Sequence, residues 1–128
     1  VKPVHFISTI GVTQIQNSPD KGKKNDNGYT QSKWVAEKLI KIAGERGIPI
    51  SIYRPRRISG DSKTGVCNLE DPTFRMICGC IQLGGAPKQD MMGNLILVDY
   101  ATQAIVYLSS EQASLGQVFN ITNPQSIS

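Results

Sequence analysis

Val4-His5-Phe6-Ile7-Ser8-Thr9 and, further along, Tyr29-Thr30-Gln31-Ser32-Lys33 are the two stretches whose joint reading decides the fold. The first is an apolar run ending in two hydroxyls, the pattern of a buried strand. The second places a phenol and an ammonium four residues apart in a segment that reads as helix. Residues at i and i+4 share one helix face, so the cation can stabilise the phenolate and tune the tyrosine to pass a proton near neutral pH. A strand-end hydroxyl beside such a tyrosine suits carbonyl reduction, because one group orients the carbonyl and the other protonates it. The bare spacing is common on solvated helix surfaces. The order apolar strand, Ser/Thr, polar loop, Tyr-x-x-x-Lys, apolar strand gives it meaning.

Working outward, the pattern alternates. Val4–Ser8 is a strand and Gly11–Gly28 a polar loop containing Pro19 and an Asn/Asp/Gly cluster. A helix then runs to about Arg46, with Val35, Leu39 and Ile42 on one face and Gly47 as its stop. Ile48–Tyr53 is β-branched and strand-like, and residues 54–70 read as a long loop. Asp71-Pro72 forms an N-cap followed by proline at the first helical position. The helix it opens carries Phe74, Ile77, Cys78 and Ile81 at helical spacing and stops at Gly84-Gly85. Leu95–Leu97 is a short strand. Asp99 is expected to cap a helix with Ala101, Ala104, Ile105 and Leu108 on one face, and Val118–Ile121 is a last strand. Strand–helix–strand alternation predicts an α/β layer with parallel strands.

Composition narrows the function classes. The 128 residues make one domain's worth of chain, with 39% hydrophobic and 19% charged residues. No apolar run approaches a membrane span and no signal peptide is expected, so the reading is cytoplasmic with no membrane partner. Cys67, Cys78 and Cys80 lack C-x-x-C spacing and His5 is the single histidine, which predicts idle thiols and no metal site. The net charge of +4 gathers partly in Lys21, Lys23 and Lys24 and in Arg54, Arg56 and Arg57. Aromatic interleaving is missing, which argues against nucleic acid. The lysines read as a solvated loop, whereas the arginines are the better candidates for phosphate, since a guanidinium forks onto phosphate oxygens.

The strand–Ser/Thr–Tyr-x-x-x-Lys order resembles the extended branch of the short-chain dehydrogenase/reductase superfamily. Three longer runs sharpen the resemblance: Gly28-Tyr29-Thr30-Gln31-Ser32-Lys33-Trp34-Val35-Ala36-Glu37-Lys38-Leu39, Ile52-Tyr53-Arg54-Pro55-Arg56-Arg57-Ile58-Ser59-Gly60-Asp61-Ser62, and Leu97-Val98-Asp99-Tyr100. Together they look like the thioester reductase domain of nonribosomal peptide and polyketide synthetases and of carboxylic acid reductases. The resemblance implies an α/β fold, the C-terminal part of a Rossmann-like doubly wound parallel sheet with a small substrate-binding region. Its core would span about residues 1–60 and 95–122, and the substrate region about 61–94. No Gly-rich strand–turn–helix for a pyrophosphate occurs in the sequence. The N-terminal cofactor-binding half is therefore expected to be absent, and the isolated chain to be inactive and to self-associate along an unpaired sheet edge.

The same resemblance implies NADPH-dependent reduction of a carrier-bound acyl or peptidyl thioester to an aldehyde, or onward to an alcohol. The partner would be a phosphopantetheinyl carrier protein. NADP is the implied cofactor, with NAD left open because the ribose-reading residues would lie upstream. Thr9, Tyr29 and Lys33 are the implied catalytic residues. Thr9 is preferred over Ser8 because it shares the face of Ile7 on a strand and stands three residues before Val12, as in the family pattern. Ser8, Tyr29, Lys33, Tyr53, Arg54, Pro55 and Arg56 are the implied cofactor contacts. Phe74, Met76, Met91 and Met92 line either a pantetheine channel or an ordinary core. Other extended short-chain enzymes, among them nucleotide-sugar epimerases, dehydratases and fatty acyl-CoA reductases, share the Tyr and Lys and stand as the alternative, as does a non-catalytic piece.

Overall fold

A computed structural model describes residues 1–17, 28–88 and 94–124. The Lys21, Lys23 and Lys24 cluster and Met91 and Met92 lie outside the described residues. Three parallel strands build the main sheet: β1 (Val4–Ile7), β2 (Ile50–Pro55) and β5 (Val118–Ile121), in the order β1-β2-β5. The register pairs Ile7 with Tyr53 and Pro55 with Ile121. A second, two-stranded parallel sheet joins β3 (Arg57–Ser59) to β4 (Leu95–Leu97). The α/β layer with parallel strands read from the sequence is the observed architecture.

Every residue of β2 is buried, as befits a central parallel strand covered on both faces. Its Tyr53 anchors a core with Ile96, Ala101 and Ile121. Ala104, Ile105 and Leu108 of α4 (Val98–Ser110) pack onto that core together with Phe119. The Tyr53 ring stacks on Phe119 and on His5, and its hydroxyl lies 3.0 Å from His5 Nδ1. Helix α3 (Pro72–Leu83) begins as predicted, with Asp71 accepting from the Thr73 amide, and ends on Gly84 in the left-handed region that glycine favours.

Four local expectations change. Part of the expected loop after Gly11 is a short helix, α1 (Val12–Asn17). The carbonyls of Thr9 and Ile10 accept from the amides of Val12 and Thr13, and Val12 is fully buried. Packing thus overrides a sequence of modest helix propensity. Strand β2 begins later and runs on through Arg54 and Pro55. The Pro55 carbonyl accepts from the Ile10 amide, so a residue without an N–H still closes the strand. The expected loop after it contains β3, whose three residues are too few to show alternation. Asp99 is not an N-cap: α4 starts directly from β4 with Leu97 in the capping position and no side-chain cap, which places Asp99 inside the first turn.

Helix α2 (Gly28–Glu45) is oriented by polar residues. Lys33 reaches the end of β1 and Glu37 is buried against β2. Gly44 lies so close to Ile50 that an added Cβ would stand 2.9 Å from its Cδ1. Val35, Leu39 and Ile42 are on the outer side, Leu39 at 62% exposure.

Candidate active site

The carboxyl ends of β1 and β2 carry the predicted residues. Lys33 Nζ donates to the Ile7 carbonyl at 3.0 Å and lies 5.3 Å from the Phe6 ring centroid, so its ammonium is fixed at the last residue of β1. Ser8 and Thr9 follow directly. Ser8 is buried, its amide donates to the Tyr53 carbonyl at 2.7 Å, and its hydroxyl has no hydrogen-bond partner of good geometry. Thr9 is half-buried, and its Oγ1 accepts from the Gly11 amide at 3.4 Å. Gly11 is also the point where α2 approaches. A Cβ there would meet Thr30 at 3.4 Å and the Thr9 methyl at 3.8 Å, so Thr9 and the first turn of α2 are neighbours. Tyr29, in that first turn, is 58% exposed, and its carbonyl accepts from the Ser32 hydroxyl. The structure therefore gathers Ser8, Thr9, Lys33 and the turn bearing Tyr29 at one end of the sheet.

Two expected cofactor contacts are committed elsewhere. Arg54 Nε and Nη2 donate to the two carboxylate oxygens of Glu37 at 2.8 and 2.6 Å. This buried fork takes the guanidinium away from any phosphate. The Tyr53 side chain is fully buried in the aromatic stack, which leaves only its backbone at the strand end. Pro55 is buried, while Arg56 is exposed and its amide donates to the Ile121 carbonyl at 2.9 Å.

Glu37 is the residue that sequence reasoning missed. Burial pushes its pKa up, but the Arg54 hydrogen bonds, the nearby Ser8 hydroxyl and the charges of Arg54 and Lys41 outweigh this and hold it below the ordinary carboxylate value. The signal was present as Tyr29-x-x-x-Lys33-x-x-x-Glu37, an i+4 series continued by one acid.

Beyond the sheet end, β3, β4 and the start of α4 surround the loop after Gly60. Asp99 accepts from the Ser62 hydroxyl and, at 3.4 Å, from its amide. Asp61 accepts from the Lys63 and Thr64 amides and from the Thr64 hydroxyl. Phe74 is half-buried and Met76 exposed on α3, and Arg57 donates to Thr73 from β3.

The donor set fits one end of a nicotinamide nucleotide. A lysine ammonium and the half-buried Thr9 hydroxyl stand at the carboxyl end of parallel strands, the place where such folds hold ligands, while the buried Ser8 hydroxyl faces Glu37. A glycine-rich turn opening a helix, which would cradle the pyrophosphate, is absent among the described residues.

Residues 2–105 match the NAD-binding family described as Male sterility protein. One of the subunits of linear gramicidin synthase from Brevibacillus parabrevis is 43% identical over 96% of this chain, which covers 3% of that protein. Aldehyde reductase lnbA of Aspergillus flavus is 38% identical over 77% of this chain and is covered over 10% of its own length. Among solved structures, the terminal R domain from the myxalamid PKS-NRPS pathway superposes with a TM-score of 0.84 at 40% identity. That match takes in 99% of this chain and 35% of the R domain. The chain thus spans about a third of that solved domain and a small part of the curated relatives. An archaeal thiolation-reductase di-domain (TM-score 0.78, 23% identity) shares the fold.

Proposed function

The chain belongs to the Male sterility protein family, and from that membership we propose that it is part of a thioester reductase that uses NADPH and acts on an acyl or peptidyl group held by a carrier protein. The observation that carries this reading is the Lys33 ammonium on the Ile7 carbonyl, one helical turn from Tyr29 and beside Ser8 and Thr9. Similarity to a gramicidin synthase and to a terminal R domain supports the thioester substrate over a nucleotide sugar. A carrier-borne substrate also supports the choice of a phosphopantetheinyl carrier protein as partner. NADP is chosen over NAD on the resemblance to thioester reductases.

Lys33 would hold the nicotinamide ribose, and the backbone from Arg54 to Arg56 would lie along the ring. The bound cofactor supplies a hydride to the thioester carbonyl carbon. Thr9 donates a hydrogen bond to the carbonyl oxygen as negative charge develops there, where an aimed donor lowers the barrier most. Tyr29 gives that oxygen its proton. The resulting thiohemiacetal collapses to an aldehyde as the carbon–sulfur bond breaks and the thiol departs with a proton.

The test is Tyr29→Phe in a complete reductase domain carrying this segment. Turnover on an acyl-carrier thioester is expected to fall by at least ~10²-fold, the lower range for a positioned acid. Turnover close to the parent's would remove Tyr29 from the mechanism.

A further inference from the structure

We infer that Glu37 and Arg54 are a positioning pair that sets the rotation of α2 about its axis and thereby places Lys33 and Tyr29 at the end of β1. The inference rests on the reductase reading only for its kinetic consequence.

Apolar packing is only partly engaged on this helix: Trp34, Ala36, Ile40 and Ala43 are half-buried. Val35, Leu39 and Ile42, the stripe expected from the sequence, are exposed in this segment and give α2 no anchor on the sheet. Apolar attraction is non-directional and leaves the rotation of the helix loosely set. Lys33, Glu37 and Gly44 make contacts toward the sheet, on the face that also carries the half-buried Ile40. Gly44 permits close approach but supplies no direction. A carboxylate received in a planar guanidinium fork is directional, because both N–H bonds must align at once.

The pair is also placed at the level that matters. Arg54 stands between Tyr53, whose carbonyl takes the Ser8 amide, and Pro55, whose carbonyl takes the Ile10 amide. The fork is thus fixed to the segment that contains Thr9. Glu37 and Lys33 differ by about 40° around a helix of 3.6 residues per turn, and Glu37 and Tyr29 by about 80°. A rotation that released the fork would move both reactive groups. Both partners are desolvated, Glu37 being 1% and Arg54 6% exposed. Two apolar residues of similar volume would hold the helix at comparable stability, so what the ion pair adds is geometry. Glu37 touches no reacting atom in this scheme and is a positioning residue.

The decisive variant is Glu37→Leu/Arg54→Met in a complete reductase domain carrying this segment, since it removes the fork without leaving a lone buried charge. The melting temperature is expected to stay near the parent's. On an acyl-carrier thioester with NADPH, kcat is expected to fall about tenfold or more, while KM for both substrates changes less than about threefold, the signature of misplaced reacting groups. A crystal structure of the variant is expected to show Lys33 Nζ away from the Ile7 carbonyl. A folded double variant with parental kcat, or with Lys33 still bound to Ile7, overturns the inference. Should the double variant fail to fold, Glu37→Asp, which shortens the reach by one methylene, is read in the same two ways. Should the parent domain reduce no thioester, the reductase reading falls, and the position of Lys33 in the variant crystal still decides the role of the pair.

Discussion

The main sheet and the β3–β4 region are both built from parallel strands and share a core through Tyr53 and Ile96, yet beyond that core they are held by different means. Around β2 the forces are buried: six covered strand residues, the Tyr53 stack, and the Glu37–Arg54 fork. Around α3 and the loop after Gly60 they are wet, although Ile96 of β4 belongs to the Tyr53 core. Asp61, Asp71 and Asp99 each tie down nearby amides or hydroxyls, and α3 has no buried residue. The difference runs along the division expected from the sequence, between a Rossmann-like core and a substrate region over about residues 61–94. The proposed proton-moving groups stand at the end of the main sheet, on α2 and just after β1. The region beside it, where α3 exposes Met76, Ile77 and Ile81, is shaped by hydrogen bonds that cost little to rearrange.

The largest expected effect separates two arginines three residues apart. Arg54→Met leaves Glu37 buried without its partner and should cost about 3–5 kcal/mol of stability. Arg57→Met, which removes an exposed bond to Thr73, should cost less than about 1 kcal/mol. Urea denaturation of the two variants measures the gap, and equal losses would erase the distinction between the regions.

A smaller effect tests the wet region. Asp71→Ala removes the cap from α3 and should destabilise by about 1 kcal/mol. Because α3 packs so lightly, the loss should appear as faster amide exchange confined to its first turn, with the exchange of β2 unchanged. Spread of the effect into β2 would mean that the two regions unfold together.

The gentlest probe is acid. Hydrogen bonds from the Thr64 amide to Asp61, from the Thr73 amide to Asp71 and from the Ser62 hydroxyl to Asp99 hold each carboxyl below its ordinary value. Glu37 is lowered too. A carboxyl whose folded pKa is depressed contributes stability that is present above its unfolded pKa and lost as pH falls through the folded one. Stability is therefore expected to be flat above about pH 5 and to decline on acidification below about pH 4. Ser62→Ala should shallow that decline slightly by releasing Asp99, and a steeper decline in the variant would contradict the assignment.

Much of this was legible in the sequence because it is encoded by near neighbours. An apolar run marked β1, and alternating β-branched residues at Ile48, Ile50 and Ile52 marked β2. Asp71-Pro72 and Gly84 bounded α3 by cap chemistry, and the four-residue spacing alone put Tyr29 and Lys33 on one helix face. The parallel α/β class followed from the alternation. What only the tertiary structure decided depends on partners remote in the chain. Thr9 and Ile10 carbonyls and a pocket for Val12 make a helix where propensity suggested a loop. Pairing with β4, far along the chain, makes a strand of Arg57–Ser59. Ser62 draws on Asp99 across the same gap. Arg54, read as a phosphate ligand from its place at a strand end, is claimed by Glu37 in the preceding helix. Periodicity reports which residues share a face. It does not report which face is turned toward the sheet, because that depends on the free energy of pairs the chain brings together only by folding.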